Sequence, residues 1–220
     1  MHNQNFFASL LLSTAISLFL LTPQVSKAHP VSFKKGFGLM SFNSEEMNEL
    51  MLTYSFTSRF AVATTVLRDS ESDFYLPRLN FLVKRWLNPD SQGNIYLSAG
   101  QGFEQYESQS DSASLAEVVL DWESRKYYTY FKQTYIRRDL SENPNLTDKN
   151  YDHSQLRLGF APFLADYSDL NVWWIAQFDR HDGERKIEAT QFLRFYIRNV
   201  LWEIGANING GAAFNFMIHM

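Results

Sequence analysis

Apolar and polar residues alternate with a period of two along most of this chain. Leu50, Leu52, Tyr54 and Phe56 alternate with Met51, Thr53 and Ser55. Ala116, Val118, Leu120 and Trp122 alternate with Glu117, Asp121 and Glu123. Val172, Trp174, Ala176 and Phe178 repeat the pattern, as do Trp202, Ile204, Ala206 and Ile208. Successive side chains of a strand point to opposite faces, so this is the strand period. No long segment carries an apolar stripe at helical spacing. The pattern predicts twelve strands, at 32–43, 47–57, 60–68, 74–86, 93–103, 114–124, 126–137, 153–163, 170–179, 186–197, 200–208 and 211–220. Their lengths suit a tilted strand that crosses a bilayer in about 9–11 residues. The first alternates least cleanly. Without it the count is eleven, and single-chain bacterial barrels have even counts.

A chain of 220 residues is enough for one sizeable domain. It has no cysteine, which excludes disulfides and thiolate metal sites. Its net charge is −4 and no basic stripe stands out, which argues against a nucleic-acid partner. Mean hydropathy is −0.29, too polar for a helical membrane protein. The opening is different. Phe6 to Leu21 is an apolar run with only Ser and Thr as polar residues, followed by Pro23 and then Ser26-Lys27-Ala28. Small residues at Ser26 and Ala28 fit a secretory cleavage site, although the first residues lack Lys and Arg. The expected division is a signal peptide at 1–28 and a β-barrel domain at 29–220, with His29 at the mature start. After residue 28 no apolar stretch reaches the ~18 residues that a membrane helix needs.

The connections carry a second signal. Polar segments at 68–73, 104–113, 137–152 and 179–185 alternate with shorter ones at 57–59, 87–92, 123–124, 164–169 and 198–199. A barrel with longer loops at one end and tight turns at the other produces this alternation. The polar face also carries charges of both signs inside strands. The expected inward set is Arg78, Lys84, Lys132, Arg157 and Arg194 with Glu117, Asp121, Glu123, Glu188 and Glu203. Buried charges must be paired or hydrated, so these predict a charge network across a narrow lumen. Trp173, Phe192 and Tyr196 are expected to fill part of it.

The chain ends in mid-strand, NGGAAFNFMIHM. A bilayer tolerates no open strand edge, so such an end must pair with the first strand. Within it Asn209, Gly211, Phe214 and Phe216 match polar-x-Gly-x-x-aromatic-x-aromatic. This resembles the β-signal of Gram-negative outer-membrane proteins, which implies recognition by the outer-membrane assembly machinery. The final Met220 departs from the usual terminal aromatic.

Four further sets of residues invite chemistry. His29, with a free amine, and His219 both fall at the periplasmic side, where they are a candidate copper or nickel site; imidazole suits such metals. No spaced ligand cluster supports it. His153 and Ser154, with Asp139 or Asp152, suggest an esterase, but adjacent strand residues point to opposite faces. Glu117, Asp121, Glu123 and Glu188 are candidate acid–base carboxylates, with ion pairing the blander role. Glu104, Glu107 and Asp111 fall in an expected outer loop that meets divalent cations or lipopolysaccharide.

The combined expectation is an all-β protein: a closed, antiparallel, up-and-down transmembrane barrel of about twelve strands, with ten as the alternative. It would sit in a Gram-negative outer membrane, against lipid and lipopolysaccharide, with both termini periplasmic. Its role would be structural or a narrow solute or ion path through a partly plugged lumen. The alternatives are a lipid-modifying barrel enzyme and a soluble periplasmic lipocalin-like barrel.

Overall fold

The computed structural model describes residues 29–69, 72–106, 109–138, 150–166, 168–181 and 187–220. The expected leader, 1–28, lies outside them. Twelve strands follow one another: β1 (Gly36–Asn43), β2 (Asn48–Ser55), β3 (Phe60–Arg68), β4 (Asp73–Asn88), β5 (Ser91–Tyr106), β6 (Gln109–Ser124), β7 (Tyr127–Arg138), β8 (Asn150–Phe160), β9 (Asn171–His181), β10 (Glu188–Ile197), β11 (Val200–Asn207) and β12 (Ala212–His219). Each pairs antiparallel with its neighbours in sequence, and β12 pairs with β1 to close the ring. The seam runs from Gly38↔His219 to Asn43↔Phe214. It continues through Met220, whose N–H donates to the Phe37 carbonyl at 2.8 Å and whose carbonyl accepts from Phe37 N–H at 2.7 Å. The chain's last strand is therefore a paired wall of the barrel with no free edge.

The period of two turns apolar residues outward. Leu50, Leu52, Val62, Leu79, Leu97, Leu120, Leu158, Leu193 and Ile204 are all exposed on the outer wall. Aromatics band this wall near the end that holds both termini. Phe56, Phe60 and Phe81 stack in sequence, and Phe37 leans on Tyr54. Phe160 meets Trp174, and Phe195 meets Trp202. Toward the other end Tyr75 stacks on Phe103. An apolar belt rimmed by aromatics is the surface that a bilayer stabilises and water does not.

Four expectations need correction. The described part of 104–113 is not a loop: β5 and β6 each run 16 residues and stay paired as far as Tyr106↔Gln109. The polar residues there belong to strand ends that project past the apolar belt. Likewise, β4 and β5 extend into 87–92 and leave only Pro89-Asp90 as the turn. In contrast, 161–170 is a ten-residue connection at the terminus end, because β8 stops at Phe160, before Pro162. The first strand begins at Gly36 rather than 32. Lys35 has a left-handed backbone (φ 67), and Gly36 N–H bonds back to the Phe33 carbonyl at 2.9 Å. That turn sends 29–32 into the lumen.

A bulge in β4 has a larger effect. The β4–β5 register shifts between Leu82 and Lys84, which leaves Val83 as an extra residue. One extra residue reverses the facing of everything after it. Leu82 faces in, whereas Lys84 is exposed with its ammonium 4.9 Å from the Trp86 ring. Arg85 takes the inward place instead.

Candidate functional site

The lumen is crossed by polar contacts between strands far apart in the ring. Lys132 on β7 bonds Glu49 on β2, Nζ to Oε2 3.0 Å. Five strand steps separate them in a ring of twelve, close to a full diameter. Phe42 on β1, six steps away, lies under the same ammonium at 5.5 Å. Nearer the far end, Tyr151 of β8 donates its hydroxyl to Met47 Sδ at 3.0 Å, and His181 Nε2 stands 4.0 Å from Glu46 Oε2. Met47 and Glu46 belong to the β1–β2 turn. This hairpin thus leans across the mouth and meets the opposite wall.

Around that bar lie two ion-pair groups. Arg78 bonds Glu117 directly and Asn80 at 2.9 Å, while Thr134 donates to Glu117 Oε2 at 3.0 Å. Arg157 Nη2 and Arg194 Nε each reach Glu203, at 2.6 Å, on separate oxygens. Asn215 adds a third donor to Glu203 at 2.6 Å. Glu203 is fully buried, and three donors offset the desolvation of its charge. Toward the far end an apolar cluster of Leu67, Phe74, Leu76, Leu115 and Ile136 fills one side of the interior.

Of the ten residues expected in the charge network, nine face the lumen. Arg78–Glu117 and Arg157–Glu203–Arg194 come together as ion pairs. Asp121 accepts from Asn94 at 2.6 Å, and Glu188 pairs with Asn207. Glu123 lines the terminus-end cavity, and Lys132 forms the bar. Lys84 is the exception, turned outward by the bulge at Val83. Sequence reading missed Glu49, Arg85, Glu104, Arg138 and Asp179. Glu49 shares parity with Met51 and Thr53, both inward, so the signal was present but masked by the apolar Leu50 and Leu52. Glu104 was read as an outer-loop acid. It is buried inside, bonded to Ser72 and 3.4 Å from Arg138 Nε. Asp111 lies in β6, and Glu107 lies outside the described residues.

Residues 29–32 form a buried strap inside the barrel, joined to β1 through the exposed turn at Lys34-Lys35. Val31 is wholly buried against Ala61, Leu82, Tyr96 and Val119. The Pro30 carbonyl accepts from Asn80 at 3.2 Å, and Ser32 N–H donates to Ser55 Oγ at 3.0 Å. His29 stacks on Tyr96, with Gln92 at 3.2 Å and Asp121 at 3.4 Å. His219 is buried in the wall beside Gly38 and Thr53. Among the described residues no group of three His, Cys, Asp or Glu side chains that could hold a metal assembles. His153 bonds Asp179 at 2.9 Å and stacks on His181, whereas Ser154 points the other way, to Gln133. No His–Ser pair for ester hydrolysis forms there; Asp139 lies outside the described residues and Asp152 bonds Gln133.

In the tail, Phe214 is exposed on the outer wall and Phe216 half-buried beside it. Gly210 takes a left-handed turn (φ 93), and the N–H groups of Asn209 and Gly211 both donate to Asn207 Oδ1.

Among the described residues, a larger and a smaller cavity lie beside the polar contacts. The larger, about 490 Å³, opens among the terminus-end turns at Asn88–Ser91 and Ser124-Arg125, and ends at Phe42, Glu49 and Lys132. The smaller, about 40 Å³, lies beyond, by His153, Asp179 and His181.

A closed antiparallel ring with an apolar outside and a charged, bonded inside has the architecture of a transmembrane β-barrel. A soluble ligand-binding barrel is the inverse, apolar within. No family model matches this chain, and no curated sequence does. Among solved structures it is similar to the KdgM porin, at 8% identity and TM-score 0.46, over 84% of this chain and 97% of that one. A KdgM porin in complex with disordered oligogalacturonate gives 9% and 0.49 over the same shares. The NanC porin gives 8% and 0.43, over 83% and 97%. What this chain does must come from its own wall and lumen.

Proposed function

We propose that this chain is a Gram-negative outer-membrane β-barrel whose lumen serves a structural role or forms a narrow path for a small solute or ion. One observation carries it: every strand is paired around a closed ring whose outer wall is apolar. In water that wall would aggregate; in a bilayer it is the stable surface. The lumen is narrow because Phe42, Lys132 and Glu49 meet across it. Orientation follows from the shared end of both termini, which would face the periplasm. The tail residues Asn209, Gly211, Phe214 and Phe216 would present the assembly signal, and the belt would contact lipid and lipopolysaccharide.

Fractionation tests the reading. The protein should resist osmotic shock, need detergent for extraction, and migrate faster on gels before boiling than after. Release with the periplasmic contents would overturn it. In a planar bilayer the wild-type barrel should conduct weakly or in rare steps, because the bar closes the path at rest.

A further inference from the structure

Three methionines stand side by side on the inner wall at the seam. Met217 of β12 lies opposite Met40 of β1, and Met40 lies opposite Met51 of β2. Directly opposed residues of antiparallel strands have Cα atoms about 4.5–5.5 Å apart. The wall is concave on this side, so the three side chains converge toward the lumen. All three are buried, they pack in one cluster, and they line the larger cavity. Methionine also serves as a plain core filler, so the row by itself decides nothing.

The next layer toward the terminus end supplies a second observation. His219 follows Met217 by two residues on the same face of β12, about 7 Å along the strand. It is 2% exposed, and neither Nδ1 nor Nε2 makes a hydrogen bond among the described residues. Thr53 Oγ1, in the same layer, is likewise buried and unbonded. Gly38 lies between them, opposite both. A Cβ there would stand 3.1 Å from His219 Cε1 and 2.7 Å from Thr53 Oγ1, so the glycine keeps room for the imidazole. A buried polar atom without a partner costs about 1–3 kcal/mol. A metal ion satisfies the lone pair of a neutral imidazole as a proton donor does.

We infer that Met40, Met51, Met217 and His219 form a binding site for a soft monovalent cation, copper(I), reached from the terminus end through the larger cavity. Thioethers select copper(I), and imidazole also suits copper. All four ligands are neutral, so the bound ion keeps its own charge. Burying one charge costs far less than burying two, which favours copper(I) over copper(II) or zinc. Phe42 and Tyr196 pack against the methionine row, and aromatic faces attract cations. The flexible thioether arms let the sulfur atoms adjust to the ion while the strands stay in place. His29 is no part of this site, since it lies on the strap against Tyr96, Gln92 and Asp121. The inference needs the closed seam and the cavity, and it goes beyond the solute-path reading.

The detergent-folded barrel tests it, titrated without oxygen and with ascorbate against copper(I) held by a coloured chelator. Silver(I), which needs no reductant, is the second probe, counted by mass spectrometry after desalting. The wild-type barrel should take up one copper(I) or one silver(I) and retain no zinc. The triple variant Met40→Leu, Met51→Leu, Met217→Leu should lose this binding. Leu for Met is among the best tolerated core changes, and the gel shift on boiling reads folding on the same sample. Met40→Leu alone, at the middle of the row, should weaken binding, which keeps the test open if the triple variant does not fold. His219→Gln should weaken it at least about tenfold, since even residues that only support ligands are worth that much. Met47→Leu and His29→Ala should leave it unchanged. No retention of either ion by the folded wild type, equal retention by the triple variant, or loss of binding in His29→Ala would each overturn the inference. A folded barrel that ignores both ions defeats this inference alone, while release by osmotic shock defeats the outer-membrane reading alone.

Discussion

Lys132 and Glu49 bond at 3.0 Å although 83 residues and five strands separate them. A ring of twelve strands has room for an open channel. Here the β1–β2 hairpin leans inward until Glu49 and Phe42 reach β7. The far half of the lumen is closed by this contact, by Met47 on Tyr151, and by the apolar cluster around Phe74. The terminus half stays open as a funnel.

Removing one partner of the bar should be costly. Glu49 is 3% exposed, and Lys132→Met leaves its charge buried and unmatched. Breaking such a pair costs about 3–5 kcal/mol. The double variant Lys132→Met with Glu49→Gln should recover most of that loss. Urea unfolding in lipid vesicles measures both. Lys132→Ala with Glu49→Ala should also raise the conductance of single barrels in a planar bilayer.

The bulge at Val83 is a second point of test. Leu82 pairs with Tyr96 and Lys84 with Ile95, so the partner strand has no residue opposite Val83. Deleting Val83 should therefore leave every other side chain on its present face. The variant should still fold, as read by its gel shift on boiling. Deleting Leu79, inside the regular ladder, shifts the facing of Arg78 or of all that follows and should abolish folding.

The strap is held by burial as well as by bonds. Val31→Asp places an unpaired charge among Ala61, Leu82, Tyr96 and Val119 and should expel the strap. The chain has no cysteine, so one introduced thiol is a clean probe. Ser32→Cys should resist a water-soluble maleimide in the parent and react quickly once Val31→Asp is added.

Gly102 has no room for a side chain. A Cβ built there would stand 1.9 Å from the Tyr75 carbonyl oxygen and 3.1 Å from Pro77 Cδ. Backbone cannot swing aside as a long side chain does. Gly102→Val should cost more than about 2 kcal/mol, in line with overpacked cores, and lower the urea midpoint.

The tail makes a prediction of assembly rather than stability. Phe214 and Phe216 face the outer wall beside Trp202 and the seam, and nothing in the lumen depends on them. Phe214→Ser with Phe216→Ser should sharply reduce folded barrel in membranes. Refolding of the purified variant in detergent should change little.

Much of this architecture is written locally. The period of two is a property of each segment, and it reports strand placement and facing without regard to partners. That is why all twelve strands, the closing seam and most inward charges are legible: Arg157 and Glu203 are inward simply because Leu158 and Ile204 are outward. Legibility ended where one residue broke the period. Lys84 follows an extra Val83, and no local pattern marks a bulge inside an apolar run. Glu104 looked like a loop residue because its neighbours are polar, yet strand ends beyond the apolar belt are polar too.

What only the tertiary structure decided is which inward residues meet. Facing is local; pairing across a lumen depends on the curvature of the whole ring. Twelve alternating strands are equally compatible with an open pore and with a barrel pinched by Phe42, Glu49 and Lys132. The fate of His29 to Ser32 was hidden for the same reason. Those residues lie outside the strand pattern, and their place was set by a bay that Asn80, Tyr96 and Asp121 build together from three different strands.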